Sequence, residues 1–202
     1  DTTFSNKLSF SITSVGYSKK IIYRNQSNVN NDIYVTGNLG DSFIGLQVLK
    51  NKIKLNKSKT KYFINKYYMP DIQNKFSKNL LSLATSSMDI SDGLITDLNK
   101  LINKQNVSYK IYEKFIPVSR NLTNLINSKN LKKIDLVSNG DDYQILFTAK
   151  PNKARIIKKL SKSLGVKISK RGTILSGKNK SLILDQKGRE IAINVDGYIH
   201  QF

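Results

Sequence analysis

The sequence predicts an α+β protein, a layered α/β/α domain built on a mixed sheet. Segments of period two interleave with segments of helical period, without strict βαβ repetition. No internal repeat and no long flexible linker breaks the series. Residues 7–13 alternate Leu8, Phe10 and Ile12 with Ser9, Ser11 and Thr13, the pattern of a half-buried strand. Residues 32–36 (DIYVT) make a second strand, closed by Gly37. Residues 38–49 then read as a turn feeding a helix with Phe43, Leu46 and Leu49 on one face, and a lysine-rich helix over 59–68 stops at Pro70. Residues 71–83 read as helix and 85–90 as a short strand. Ser91 opens a helix whose apolar face is Leu94, Ile95, Leu98, Leu101 and Ile102. Strand is expected over 107–112, helix from Pro117 to about 128, strand over 143–148 and helix over 152–164. Three further strands follow, at 166–174, 180–184 and 190–195.

Composition narrows the function. No apolar run approaches the ~18 residues of a membrane span, and Asp1 with no cationic leader predicts no signal sequence. The chain has no cysteine, which removes disulfides, cysteine nucleophiles and thiolate metal sites. A cytoplasmic location is the expectation, with no membrane partner. The formal charge of +20 suggests nucleic acid. Yet the lysines are spread along the chain, and the densest runs, 50–66 and 153–171, carry apolar residues such as Ile156, Ile157, Leu160 and Leu164 at regular spacing. They read as the wet faces of amphipathic elements, and no nucleic-acid partner is expected.

Acids are scarce, 14 in 202 residues, and they are pooled. Asp89, Asp92 and Asp97 fall within nine residues, Asp141 and Asp142 are adjacent, and Asp1 and Asp41 sit at polar turns. Neighbouring carboxylates repel, and a cation relieves them. Oxygen ligands without His or Cys suit Mg²⁺ shared with nucleotide phosphates. The centre of the pattern is MDISDGL at 88–94. Ser91 can cap the next helix, Gly93 can let the backbone approach a ligand, and the helix N-terminus offers N–H groups to phosphate. Asp89 and Asp92 offer oxygens to the metal. Asp41 and Asp97 read as residues that cap or orient helices near the site, and His200 as a packed terminal residue.

DISDGL, followed by Asp97 and Leu98, resembles the hallmark of the thiamine-monophosphate kinases, in the aminoimidazole-ribonucleotide-synthetase-like superfamily. Four other stretches agree in order. DTT at 1–3 is similar to the end of the family's GGDTT loop, and IYVTGNLGDSFIGL at 33–46 to its IYVTGxLGDxxxGL segment. NGDDYQILFT at 139–148 is similar to GGEDYELLFT, and GYIH at 197–200 stands in the place of GYxHF. The fold implied is that of the superfamily's C-terminal domain. The activity implied is ATP-dependent phosphorylation of thiamine monophosphate by direct in-line transfer with Mg²⁺.

By position, the resemblance makes Asp1, Asp89 and Asp92 metal ligands, and Asp1, Arg24 and Ser91 ATP contacts. It makes Asp141 and Tyr198 contacts of the thiamine substrate. It also implies that residues 1–25 continue from a preceding domain, absent from this sequence, that carries more metal ligands and the homodimer sheet, with 26–202 forming the C-terminal domain. The chain alone is then expected to be inactive. This sequence has Asp141 where the family has Glu, Asn139 for the first Gly of GGED, and Asn30-Asn31 for a Gly-Asp pair. Two alternatives stay open: another ATP-using enzyme of the superfamily, and a basic nucleic-acid-binding domain.

Overall fold

The computed structural model describes residue 10, residues 12–177 and residues 180–192. Among them are the strands β1 (Asp32–Thr36), β2 (Ala84–Ile90), β3 (Val107–Tyr112), β4 (Gln144–Ala149), β5 (Ile168–Ser176) and β6 (Leu182–Leu184). They form one sheet in the order β2-β4-β1-β5-β3-β6. Neighbours run antiparallel except β3 and β6, which are parallel, so the sheet is mixed. The helices among the described residues are α1 (Asp41–Leu49), α2 (Lys57–Tyr68), α3 (Asn74–Ser77), α4 (Leu80–Leu83), α5 (Leu94–Leu101), α6 (Arg120–Lys129), α7 (Lys133–Val137) and α8 (Ala154–Leu164).

Alternation along each strand sorts the side chains into two layers. Ile33 and Val35 of β1, Leu146 of β4 and Tyr109 and Ile111 of β3 point to one face. There they pack with Leu94, Leu98 and Leu101 of α5 and with Ile134 and Val137 of α7. Tyr34 and Phe147 point to the other face and meet Phe76, Leu83 and Ile157 of α3, α4 and α8. Phe147 lies between two rings, with centroids 5.2 Å from Tyr34 and 5.4 Å from Phe76. A smaller cluster joins Ile44 of α1, Phe63 of α2, Leu122 and Leu125 of α6 and Leu136 of α7. This is the α/β/α layering that the sequence pattern predicts.

The local differences have local causes. The stretch 71–83 is broken: Lys78 and Asn79 form a turn that separates α3 from α4, although their backbone angles stay in the right-handed region. The helix expected from Pro117 starts at Arg120, where the Ser119 side chain accepts the N–H of Leu122 at 3.0 Å. The last predicted strand, at 190–195, is represented among the described residues by one bridge, Leu184 with Glu190. Of the strand expected at 7–13, the described residues Phe10, Ile12 and Thr13 are exposed and carry no strand; the others lie outside the described residues. The run 153–171 behaves as an amphipathic face: Ile157 is buried while Arg155, Lys158, Lys159 and Lys162 of α8 line one open groove. Among the described residues, no helix is long and apolar enough to cross a membrane.

Strand direction gathers three connections at one edge of the sheet. β1 and β2 end there and β4 begins there, since Ile90 pairs with Gln144 and Val35 with Leu146. The β1–α1 turn, the β2–α5 loop and the α7–β4 loop are therefore neighbours.

Candidate functional site

Two of these loops touch backbone to backbone. The N–H of Asp141 bonds to the carbonyl of Ser91 at 2.9 Å, and the N–H of Tyr143 to that of Ile90 at 2.8 Å. The approach is so close that a Cβ on Gly140 would stand 1.8 Å from the Ser91 oxygen, and one on Gly93 would stand 2.1 Å from the Ser138 oxygen. Gly93 also holds φ 104°, a backbone region open to glycine and costly for other residues. Gly93 thus serves the approach of its neighbour loop, where the sequence reading had it serve the approach of a ligand. Asp141 and Tyr143 both sit at positive φ, 68° and 49°. Such strain persists where surrounding contacts over-determine it, and it gathers at functional sites.

Asp97 holds the β2–α5 loop from below. Its side chain is fully buried, and its Oδ2 accepts the N–H groups of Ser91 and Asp92, each at 2.9 Å. Its Oδ1 has no hydrogen-bond partner, but the Lys100 ammonium stands 3.4 Å away. Lys100 also donates to Asp92 Oδ2. Burial pushes the Asp97 carboxyl up, against the pull of the loop N–H groups and of Lys100. α5 begins at Leu94 with Gly93 at its N-cap position and no side-chain cap, so Ser91 does not cap it, and Asp97 instead holds the two N–H groups of the loop that leads into the helix. Ser91 and Asp92 are left partly exposed at the loop, Asp92 with its Oδ2 on the Lys100 ammonium.

The third connection is joined through Asp142, which is buried and accepts the N–H of Gly40 at 2.8 Å. Burial pushes this carboxyl up to about 8, although that N–H bond draws it down. Asp41, the first residue of α1, accepts Ser119 Oγ at 2.7 Å and the Tyr62 hydroxyl at 2.9 Å. It ties α1 to α2 and α6. Asp41 and Asp97 are the helix-orienting acids that the sequence suggested.

Above the seam lies a cleft of about 690 Å³, lined by Ser91, Asp92, Asn139, Gly140, Asp141 and Tyr143 from the two loops, with Phe43, Gln47, Lys50 and Tyr67 opposite. The structure therefore brings Ser91, Asp92 and Asp141 together across 50 residues of sequence. Asp89 is exposed on β2, one residue before Ile90, and its charge reaches Tyr143. Arg24 is exposed and lies elsewhere: its neighbour Asn25 bonds to the carbonyl of Leu101, at the far end of α5. Asp1 and Tyr198 lie outside the described residues. Burial and then the charge of Asp92 push the Asp141 carboxyl up. Burial also pushes the Tyr143 hydroxyl up, with Asp141, Asp89 and Asp92 adding to it.

Sequence reasoning missed Lys50, Tyr67 and Tyr143. Tyr143 belongs to a quoted motif, and its adjacency to two aspartates was the available signal. Lys50 and Tyr67 carry no signal, because they reach the cleft only through the packing of α1 on α2.

For a divalent cation, the donor chemistry fits. Asp92 offers carboxylate oxygen at the cleft, Asp89 lies on the strand leading into it, and Mg²⁺ keeps several waters beside one or two carboxylates. Among the described residues no three His, Cys, Asp or Glu side chains converge on one metal position.

No family model matches the chain. It is 33% identical over 205 residues to the thiamine-monophosphate kinase of Buchnera aphidicola subsp. Schizaphis graminum, a match taking in 98% of this chain and 62% of that protein. It is 30% identical over 145 residues to the thiamine-monophosphate kinase of Aquifex aeolicus, covering 71% of this chain and 47% of that protein. The chain thus spans about half to three-fifths of the length of these curated relatives. Among solved structures it resembles AaThiL complexed with AMPPCP and TMP, with TM-score 0.73 and 24% identity over 89% of this chain and 54% of that one. It also resembles E. coli HypE, a hydrogenase maturation protein, with TM-score 0.61 and 13% identity over 88% and 53%. At these identities the structures establish a shared fold, the aminoimidazole-ribonucleotide-synthetase-like one.

Two outcomes follow for the seam. Gly140→Ala drives a methyl into the Ser91 carbonyl and lowers stability in urea melts by about 3 kcal/mol or more, at or beyond the upper end of ordinary overpacking. Gly165→Ala, with φ 66° and nothing near its Cβ, costs only about 1–2 kcal/mol. A Gly140→Ala cost no larger than that of Gly165→Ala refutes the seam. For Asp142, the ordinary value of 3.8 rises to about 8 on folding. Its contribution to stability is therefore full below pH 3.8 and lost as pH rises toward 8. Asp142→Asn removes that decline, so the variant gains on the parent between pH 4 and pH 8 in parallel urea melts. A difference independent of pH contradicts the assignment.

Proposed function

The chain belongs to the thiamine-monophosphate kinase family, and we propose that its cleft is the part of such an enzyme where nucleotide phosphates, a divalent cation and thiamine monophosphate meet. The observation that carries this reading is the convergence of Ser91, Asp92 and Asp141 on one cleft, with Asp89 beside it. On this reading Asp89 and Asp92 hold Mg²⁺, and the Ser91 hydroxyl contacts the nucleotide. Bound Mg²⁺ neutralises charge on the phosphates and aligns them. Transfer between two polyanions needs alignment and charge balance more than a strong base, and Ser91 and Asp92 are fixed for that by the Asp97 bonds beneath them. Lys50, whose charge acts on Asp141, adds a cation at the same cleft.

Asp141 and Tyr198 belong to the substrate side of the same proposal. A carboxylate and aromatic rings such as Tyr143 and Tyr67 suit a cationic ring system, a contact worth about 0.5–2 kcal/mol. Asp1 completes the nucleotide side in the assembled enzyme, together with a preceding domain, the homodimer it forms and a cytoplasmic location, and Arg24, away from the cleft within this chain, joins that side only through such an assembly. The relatives' greater length supports a further part. Residues 1–25 are then the connection to it and 26–202 the C-terminal domain.

Because the chain spans part of its relatives' length, binding is the property to test first. Calorimetry with AMPPCP and Mg²⁺ is expected to show binding that Asp92→Asn weakens on the order of tenfold. Asp141→Asn is expected to weaken thiamine monophosphate binding and leave AMPPCP binding unchanged. Equal effects of both variants on both ligands, or none, contradict the assignment.

A further inference from the structure

Lys100 stands one turn after Asp97 on α5, and its ammonium faces two carboxylates at once. It donates to Asp92 Oδ2 and lies 3.4 Å from Asp97 Oδ1. The Asp97 side chain is fully buried and that oxygen has no hydrogen-bond partner, so Lys100 is its nearest counter-charge among the described residues. Two carboxylates this close repel, and one cation between them relieves the repulsion. A divalent cation on Asp92 would meet the ammonium as a like charge in the same place. Each would weaken the hold of the other.

Lys100 is also able to leave. Its side chain is 40% exposed, where that of Asp97 is wholly buried and that of Asp92 is 18% exposed. A four-carbon stem lets an ammonium swing into water at little cost. Asp97 cannot follow, since its other oxygen is spent on the N–H groups of Ser91 and Asp92.

We propose that Lys100 is a built-in competitor for the cation position at Asp92. In the metal-free chain it holds the two carboxylates and keeps the β2–α5 loop in shape, and a divalent cation enters only as Lys100 swings out. Lys100 thereby sets the metal affinity of the cleft. It is a positioning residue, and the inference rests on Asp92 being a cation ligand.

The test is Mn²⁺ binding to the full chain, by calorimetry and by loss of the free-ion electron paramagnetic resonance signal. Lys100→Met is expected to bind Mn²⁺ on the order of tenfold more tightly, as removal of a charge about 5 Å from a divalent ion in a partly wet site implies. Lys100→Arg keeps the charge and should stay near the parent. Lys100→Gln, which retains a donor for Asp92, should reproduce the gain if Lys100→Met does not fold. In chelator, Lys100→Met melts below the parent, and Mn²⁺ restores it. A residue that merely braced the loop gives the opposite sign: its loss weakens Mn²⁺ binding. Unchanged or weaker binding in both neutral variants overturns the proposal, as does the absence of Mn²⁺ binding from every variant. Asp92→Asn separates the two readings. If Asp92→Asn abolishes binding while Lys100→Met changes nothing, only the role of Lys100 falls. If Asp92→Asn binds as the parent does, the cation assignment itself falls.

Discussion

The cleft depends on a backbone-to-backbone contact between two loops that leave the same edge of the sheet. Gly93 under Ser138 and Gly140 under Ser91 leave no room for a side chain at either crossing. The N–H groups of Asp141 and Tyr143 close the seam on the carbonyls of Ser91 and Ile90. Both bonds continue the β2–β4 pairing past its last rung, Ile90 with Gln144. The sheet register therefore dictates which residues reach the cleft. A slip in the β4 register would carry Asp141 and Tyr143 off the two carbonyls that hold them.

Charge then decides what that geometry can hold. In a chain of net charge +20, the site edge concentrates Asp89, Asp92, Asp97, Asp141 and Asp142. The two most buried, Asp97 and Asp142, are occupied in fastening loops, each by accepting backbone N–H groups. The less buried ones, Asp89, Asp92 and Asp141, stand where a ligand can reach them, Asp92 with its Oδ2 on Lys100. Burial separates the structural acids from those available to ligand, although all sit in the same short motifs. The shared fold cannot make this distinction, since E. coli HypE has it at 13% identity.

Much of this was legible in the sequence because it is local. β1 matches DIYVT at Asp32–Thr36, and the acidic pooling and the motif DISDGL located two sides of the cleft. What was not legible depends on distant partners. Ser91 was the expected cap of α5, yet α5 starts at Leu94 with no side-chain cap, and the buried Asp97 carboxylate instead holds the N–H groups of Ser91 and Asp92 in the loop before the helix. Gly93 looked like a ligand-approach glycine because the loop it crosses lies 45 residues further on, at Ser138. Lys50 and Tyr67 could not be assigned from a lysine-rich stretch whose pattern shows only that one face is wet. The break between α3 and α4 was hidden by residues with ordinary helix propensities, which tertiary contacts override.

On the proposed function, phosphate and metal are received at the cleft where the loops meet, and the lysine-rich faces are solvated. Amide chemical shifts followed during titration of the chain with AMPPCP and Mg²⁺ test this directly. The expected shifts cluster at residues 43–50, 90–93 and 139–143, and they vanish when Mg²⁺ is chelated. Shifts concentrated on Arg155, Lys158, Lys159 and Lys162 of α8, indifferent to Mg²⁺ and erased by moderate salt, would contradict it and make the basic surface the binding site.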